Sequence, residues 1–91
     1  MRRAAKVDAN QPEIVDALRT AGASVQHLHT IGQGCCDLLV GHLGHTYLME
    51  VKDGNGEMTP DEREWMLAWR GAPVHIVRSA EDALRVIGAL P

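Results

Sequence analysis

The chain has 91 residues, 45% of them hydrophobic and 23% charged, which suffices for one domain but not for two. Nine Lys and Arg against twelve Asp and Glu give a net charge of -3, which argues against a protein that holds nucleic acid by bulk electrostatics. No apolar run reaches the roughly 18 residues of a membrane-spanning helix, and no signal-peptide pattern follows Met1. We therefore expect a cytoplasmic protein without membrane contact.

The first predicted element is a helix from about Gln11 to Ala21. Asn10 is a suitable N-cap, and Glu13 has the spacing of its capping-box partner, so Glu13 is interpreted as structural rather than as a metal ligand. Gln11 shares one helical face with three apolar residues, namely Ile14, Val15 and Leu18. This face is predicted to lie toward a sheet.

Three strands are predicted next. Alternation from Ser24 to Ile31 is typical of a half-buried strand, and it gives His27 and His29 a structural, half-buried role. An apolar run within Cys36–Gly41 indicates a buried second strand, and a turn leads from it to a third strand, Thr46–Lys52. The second and third strands are expected to form a hairpin.

A second capping box, from Thr59 to Glu62, predicts a helix from Pro60 to about Arg70. Trp65 and Trp69 lie four residues apart on one side of this helix. They are expected to fill the core by default, with a subunit interface as the alternative.

The last elements are a strand over Pro73–Val77 and a helix over Ala80–Gly88, which Ser79 caps. A hairpin followed by a helical crossover predicts a mixed sheet, because parallel strands need a crossover of about a dozen residues. The predicted class is α/β, with helices on the faces of the sheet and an extra C-terminal helix.

Three charged residues are predicted to gather at one end of the hairpin. Side chains alternate along a strand, so Glu50 and Lys52 share a face, and the hairpin can bring Asp37 beside them. Two carboxylates next to apolar strand residues repel each other and resist desolvation unless a cation joins them. Oxygen ligation by Asp37 and Glu50 suits Mg²⁺ or Mn²⁺, and Lys52 is placed to orient a water molecule or to stabilise charge on a phosphate.

Asp37 followed by Glu50-Val51-Lys52 resembles the PD-(D/E)XK nuclease core. More narrowly, the chain resembles the small stand-alone VRR-NUC (virus-type replication-repair nuclease) domains of phages and bacteria, from Asp8 to Gly88. The resemblance implies a restriction-endonuclease-like αβββαβ core within a single domain spanning 1–91, in the cytoplasm of a bacterial or phage-infected cell.

The resemblance also implies the roles of the site residues. Asp37, Glu50 and the main-chain carbonyl of Val51 are the implied metal ligands, and Lys52 is the implied catalytic lysine. Gln11 matches the position of a Glu or Gln on the first helix of the family, and it would complete the catalytic site. Cys36 stands where the family usually has Pro, which alters the entry to the strand but removes no ligand.

The implied activity is Mg²⁺- or Mn²⁺-dependent hydrolysis of DNA by an endonuclease. The resemblance to small members of the family implies structure-selective cleavage, such as Holliday-junction resolution, by a homodimer acting on branched DNA. The rival hypothesis is a catalytically inactive binding module that keeps the nuclease fold inside a larger repair or phage complex. Gln11, which is neutral, and the acidic balance of the chain favour that rival.

Two further patterns leave alternatives open. A small zinc-binding regulator is the third hypothesis, although the adjacent cysteines Cys35 and Cys36 indicate free thiols and the histidines lack zinc-ligand spacing. The basic residues are predicted either to contact phosphates or to be solvated; they are Arg2, Arg3, Lys6, Arg63 and Arg70.

Overall fold

Helices and strands alternate along the chain in a computed structural model that describes residues 8–91. The elements are α1 (Gln11–Thr20), β1 (Ser24–His27), β2 (Leu38–His42), β3 (His45–Val51), α2 (Pro60–Ala68), β4 (Val74–Val77) and α3 (Ala80–Val86). The four strands form one sheet in the order β1-β2-β3-β4. β1, β2 and β3 are antiparallel neighbours, and β4 is parallel to β3 after the α2 crossover. The predicted α/β class with a mixed sheet is confirmed.

The hydrophobic core lies between one face of the sheet and two helices. α1 packs against α3 and β1, and α3 packs against β4, whereas α2 contacts no other element extensively. The core side chains come from every second strand position and from the apolar faces of α1 and α3; they include Ile14, Val15, Leu18, Leu38, Val40, Met49, Val51, Val77, Ala83 and Ile87. The face of α1 that carries Gln11 is buried, as predicted.

β1 is shorter than the alternation predicted. It ends at His27. The Leu28 amide still donates to the Asp37 carbonyl, but the chain then turns, because the Ile31 amide donates back to the Leu28 carbonyl at 3.0 Å. Ile31 is consequently 60% exposed. His27 is exposed on the edge strand, so its predicted half-buried position is wrong, whereas His29 is half-buried as predicted.

The predicted caps have different outcomes. Thr59 and Glu62 form the predicted capping box of α2, and Ser79 caps α3 by accepting a hydrogen bond from the Asp82 amide. The capping box predicted at Asn10 is wrong, because the Asn10 side chain makes no cap hydrogen bond. Its amide instead donates to two distant carbonyl oxygens, as described below.

α2 contributes no buried residue, so the predicted core role of Trp65 and Trp69 is wrong. α1 and α3 already cover the apolar face of the sheet, and the two indole rings stack on each other with centroids 4.7 Å apart. Leu67 in α2 is 75% exposed, and Trp69, directly after α2, is 46% exposed. No helix within residues 8–91 is long and apolar enough to cross a membrane.

Candidate active site

The open end of the β2–β3 hairpin brings Asp37 and Glu50 together. Leu38 pairs with Met49, which places the two acidic residues opposite each other one position further along. The Asp37 amide donates to the Met49 carbonyl at 3.1 Å, and Asp37 Oδ2 accepts a hydrogen bond of 2.7 Å from the Val51 amide. The main chain of β3 therefore fixes both the backbone and the carboxylate of Asp37, and Val51 lies directly beside it.

Glu50 is a buried carboxyl group next to a second acid. It is 1% exposed, and burial together with the charge of Asp37 raises its pKa to about 9. Burial also raises the pKa of Asp37, although the hydrogen bond from the Val51 amide opposes this rise. The two carboxyl groups cannot both ionise at neutral pH at low cost unless a positive charge enters between them.

Lys52 supplies one positive charge on the same side of β3. Its Nζ lies 3.4 Å from Glu50 Oε2 and 2.7 Å from Glu62 Oε1. Burial alone would lower the pKa of Lys52, but the hydrogen bond to Glu62 and the nearby carboxylates raise it. Lys52 is therefore an ammonium group at neutral pH, and it is suited to stabilising negative charge rather than to accepting a proton.

Gln11 lies in the first turn of α1 and is 1% exposed. Its Nε2 is 3.3 Å from His27 Nδ1, whereas its buried Oε1 has no hydrogen-bond partner. An unsatisfied buried oxygen costs free energy, and a hydrogen-bond donor or a cation bound to this oxygen would remove that cost.

Asn10 joins the first turn of α1 to the end of the strands. Its Nδ2 donates to the carbonyl oxygens of Lys52 at 3.2 Å and of Arg78 at 3.1 Å. The Arg78 guanidinium in turn donates to the carbonyls of Gly54 and Gly56, at 2.9 and 2.8 Å. These contacts fix the backbone at Lys52 and in the loop after it, and they join the start of α1 to the end of β3.

The donor set fits a hard divalent cation. Asp37 and Glu50 offer carboxylate oxygen atoms, which Mg²⁺ and Mn²⁺ prefer, whereas the contact of Gln11 is with His27 on β1. Within residues 8–91 there is no group of three or more His, Cys, Asp or Glu side chains arranged for a metal. A cation held here would need the Gln11 oxygen, a main-chain carbonyl or water in addition to the two carboxylates.

A cleft of about 300 Å³ opens beside Asp37, and three residues that the sequence analysis interpreted as structural lie in its lining. His29, Cys35 and Glu62 line it together with Asp37. The one sequence signal at Glu62 was its capping box, which accounts for the helix start but gives no sign of the contact with Lys52. Cys36 is buried outside this lining, and burial raises the pKa of its thiol to about 12, so it remains protonated.

Gly34 lets the loop before β2 approach the N-terminus of α2. Its φ is +80°, and a Cβ at this position would clash with the backbone carbonyl of Asp61. The close approach places Glu62 across the cleft from Asp37.

The predicted phosphate contacts are dispersed. Arg63 lies within α2 and Arg70 just beyond its end; both are exposed, and neither lines the cleft. Arg2, Arg3 and Lys6 lie outside the described residues.

Comparison of the chain with profiles of protein families, with curated proteins and with solved structures found no match.

Proposed function

We propose that the protein is a Mg²⁺- or Mn²⁺-dependent DNA endonuclease of the VRR-NUC type. The observation that carries the proposal is the pairing of Asp37 with the buried Glu50 at the end of β3, with the Lys52 ammonium on the same side. A divalent cation would offset the repulsion between the two carboxylates. In phosphodiester hydrolysis, carboxylates can hold such a cation, and the cation and an ammonium group can stabilise the charge that develops on the phosphate.

The element order supports a restriction-endonuclease-like core. The helix, the antiparallel three-strand meander and the crossover to a parallel fourth strand follow the order αβββαβ, and α3 is then the extra C-terminal helix. In this proposal the acidic pair occupies the end of the central hairpin, and Asp37 lines the cleft by which a phosphate backbone would approach.

Each site residue has a distinct task in the proposed reaction. Asp37, Glu50 and the Val51 carbonyl would hold the cation, and Gln11 would add its free amide oxygen. The cation, when bound, supplies Lewis-acid polarisation of a phosphoryl oxygen. Lys52 orients the attacking water and stabilises the charge that develops on the phosphate, because its raised pKa keeps it protonated.

We further propose that branched DNA is the substrate and that a homodimer acts on it. The exposed apolar side chains of α2, Leu67 and Trp69, support a protein partner for this helix. A second copy would double the surface available to a 91-residue chain and would present two sites to two strands.

Cleavage of labelled linear, single-stranded, flapped and four-way-junction DNA tests the proposal. Wild type, Asp37→Asn and the matched exposed-acid variant Asp16→Asn are compared with Mg²⁺, Mn²⁺ or a chelator. We expect metal-dependent cutting by wild type and Asp16→Asn, a preference for the junction, and none by Asp37→Asn. Folded wild type that binds these DNAs without cutting any would refute the nuclease and favour the inactive binding module.

A further inference from the structure

The Lys52 ammonium has two acidic neighbours, and the closer one is outside the Asp37–Glu50 pair. Lys52 Nζ is 2.7 Å from Glu62 Oε1 but 3.4 Å from Glu50 Oε2. A separation of 2.7 Å is that of a strong charge-assisted hydrogen bond. The Lys52 side chain is only 11% exposed and that of Glu62 is 21% exposed, so water screens this contact less than it would at the surface.

Glu62 is itself held rigidly. Its Oε1 accepts a second hydrogen bond of 2.8 Å from the Thr59 amide, and its own amide donates to Thr59 Oγ1 at 3.2 Å. These reciprocal bonds are the capping box of α2. Gly34 allows the backbone next to Glu62 to lie against the loop that precedes β2. Thr59 thus holds both the carboxylate that contacts Lys52 and the main-chain amide of Glu62.

Glu50 cannot fulfil the same role in the proposed reaction. As a ligand it would direct its oxygens to the cation, and its contact with Lys52 is already the longer of the two. A lysine with four rotatable bonds loses considerable side-chain entropy when it is held in one position, so it needs a partner that stays in place.

We propose that Glu62 is a positioning residue that holds the Lys52 ammonium in place for phosphodiester hydrolysis. This inference rests on the proposed nuclease function. In this role Glu62 acts through Lys52. The capping box of α2 consequently has two functions, because the same carboxylate starts the helix and orients the catalytic lysine.

Three variants separate these functions. Glu62→Ala removes both contacts of the carboxylate. Glu62→Gln keeps an acceptor oxygen for Lys52 and for the Thr59 amide, since Gln also serves in capping boxes. Ser79→Ala is the matched control, because it removes the hydroxyl cap of α3, on a helix outside the site.

Cleavage kinetics provide the first measurement. We expect Glu62→Ala to lower kcat by about 10- to 100-fold, the usual loss when the partner of a site group is removed, with little change in KM. Glu62→Gln should recover most of that loss, and Ser79→Ala should match wild type. A kcat for Glu62→Ala equal to that of wild type would overturn the positioning role.

The second measurement needs no activity. The chain has two lysines, Lys6 and Lys52, so a Lys6→Arg background gives one side-chain NMR signal for lysine labelled at Cε. In metal-free protein, relaxation of this signal should report an ordered side chain in wild type, Glu62→Gln and Ser79→Ala, and a mobile one in Glu62→Ala. Equal order in wild type and Glu62→Ala would overturn the inference.

The two measurements also distinguish failure of the positioning role from failure of the proposed nuclease activity. Wild type that cuts no DNA would refute the nuclease, and the positioning role would fall with it. Cutting by wild type together with unchanged kcat in Glu62→Ala would refute the positioning role alone.

Discussion

Replacing Glu50 with Gln should stabilise the metal-free protein as the pH rises. The pKa of Glu50 is raised from 4.5 to about 9 in the folded protein, so the unfolded chain ionises this group first. The folded protein therefore holds the Glu50 proton more tightly than the unfolded chain does. Ionisation of Glu50 does not lower the unfolding free energy below pH 4.5, but it lowers this free energy progressively from pH 4.5 to pH 9. Each pH unit in that window costs about 1.4 kcal/mol of unfolding free energy. The advantage of the Gln variant should therefore grow by about 3 kcal/mol between pH 5 and pH 7.

Urea unfolding of wild type and Glu50→Gln at pH 5, 6 and 7, without metal, measures this difference. The exposed residue Glu13 provides the matched control Glu13→Gln, which removes a carboxyl group without touching the acidic pair. An increase of this size is a large part of the roughly 5–15 kcal/mol that stabilises a small domain, so it is readily detected. A stability difference that stays constant from pH 5 to pH 7 would refute the account of Glu50 as an acid held neutral by burial.

Three further outcomes are expected. Lys52→Ala should reduce cleavage at least about 100-fold with the circular dichroism spectrum unchanged, whereas loss of the fold would show that Lys52 is structural. Gly34→Ala should destabilise the protein by about 1–3 kcal/mol more than Gly22→Ala in thermal unfolding, because both have positive φ but only the former meets the Asp61 carbonyl. Leu67→Glu should convert a homodimer to monomers in analytical ultracentrifugation, and an unchanged sedimentation coefficient would contradict a dimer formed through α2.

The hairpin and its acidic end were predictable because the signal is local. Strand side chains alternate, so the spacing of Glu50 and Lys52 alone places them on one face, and a short turn between two apolar runs predicts the antiparallel pairing. The same local patterns predicted the mixed sheet, the capping box of α2 and the Ser79 cap of α3.

The remaining features depend on contacts between residues far apart in the sequence. Asn10 has the spacing of an N-cap, but its amide donates to carbonyls 42 and 68 positions away, and no spacing rule predicts that preference. Trp65 and Trp69 have the pattern of a core face, yet α1 and α3 already cover the sheet. Glu62 contacts Lys52 from the start of α2, where Gly34 permits a close approach of the loop before β2.

Calorimetric titration of wild type and Asp37→Asn with Mn²⁺ at pH 7.5, in buffers of different ionisation enthalpy, tests the central claim most directly. We predict saturable binding by wild type with release of a proton, because the cation must displace the proton that burial and Asp37 keep on Glu50. Asp37→Asn should lose this binding, while Asp16→Asn should retain it. Wild type that binds no Mn²⁺, or binds it as Asp37→Asn does, would contradict the proposal that the acidic pair is a cation site.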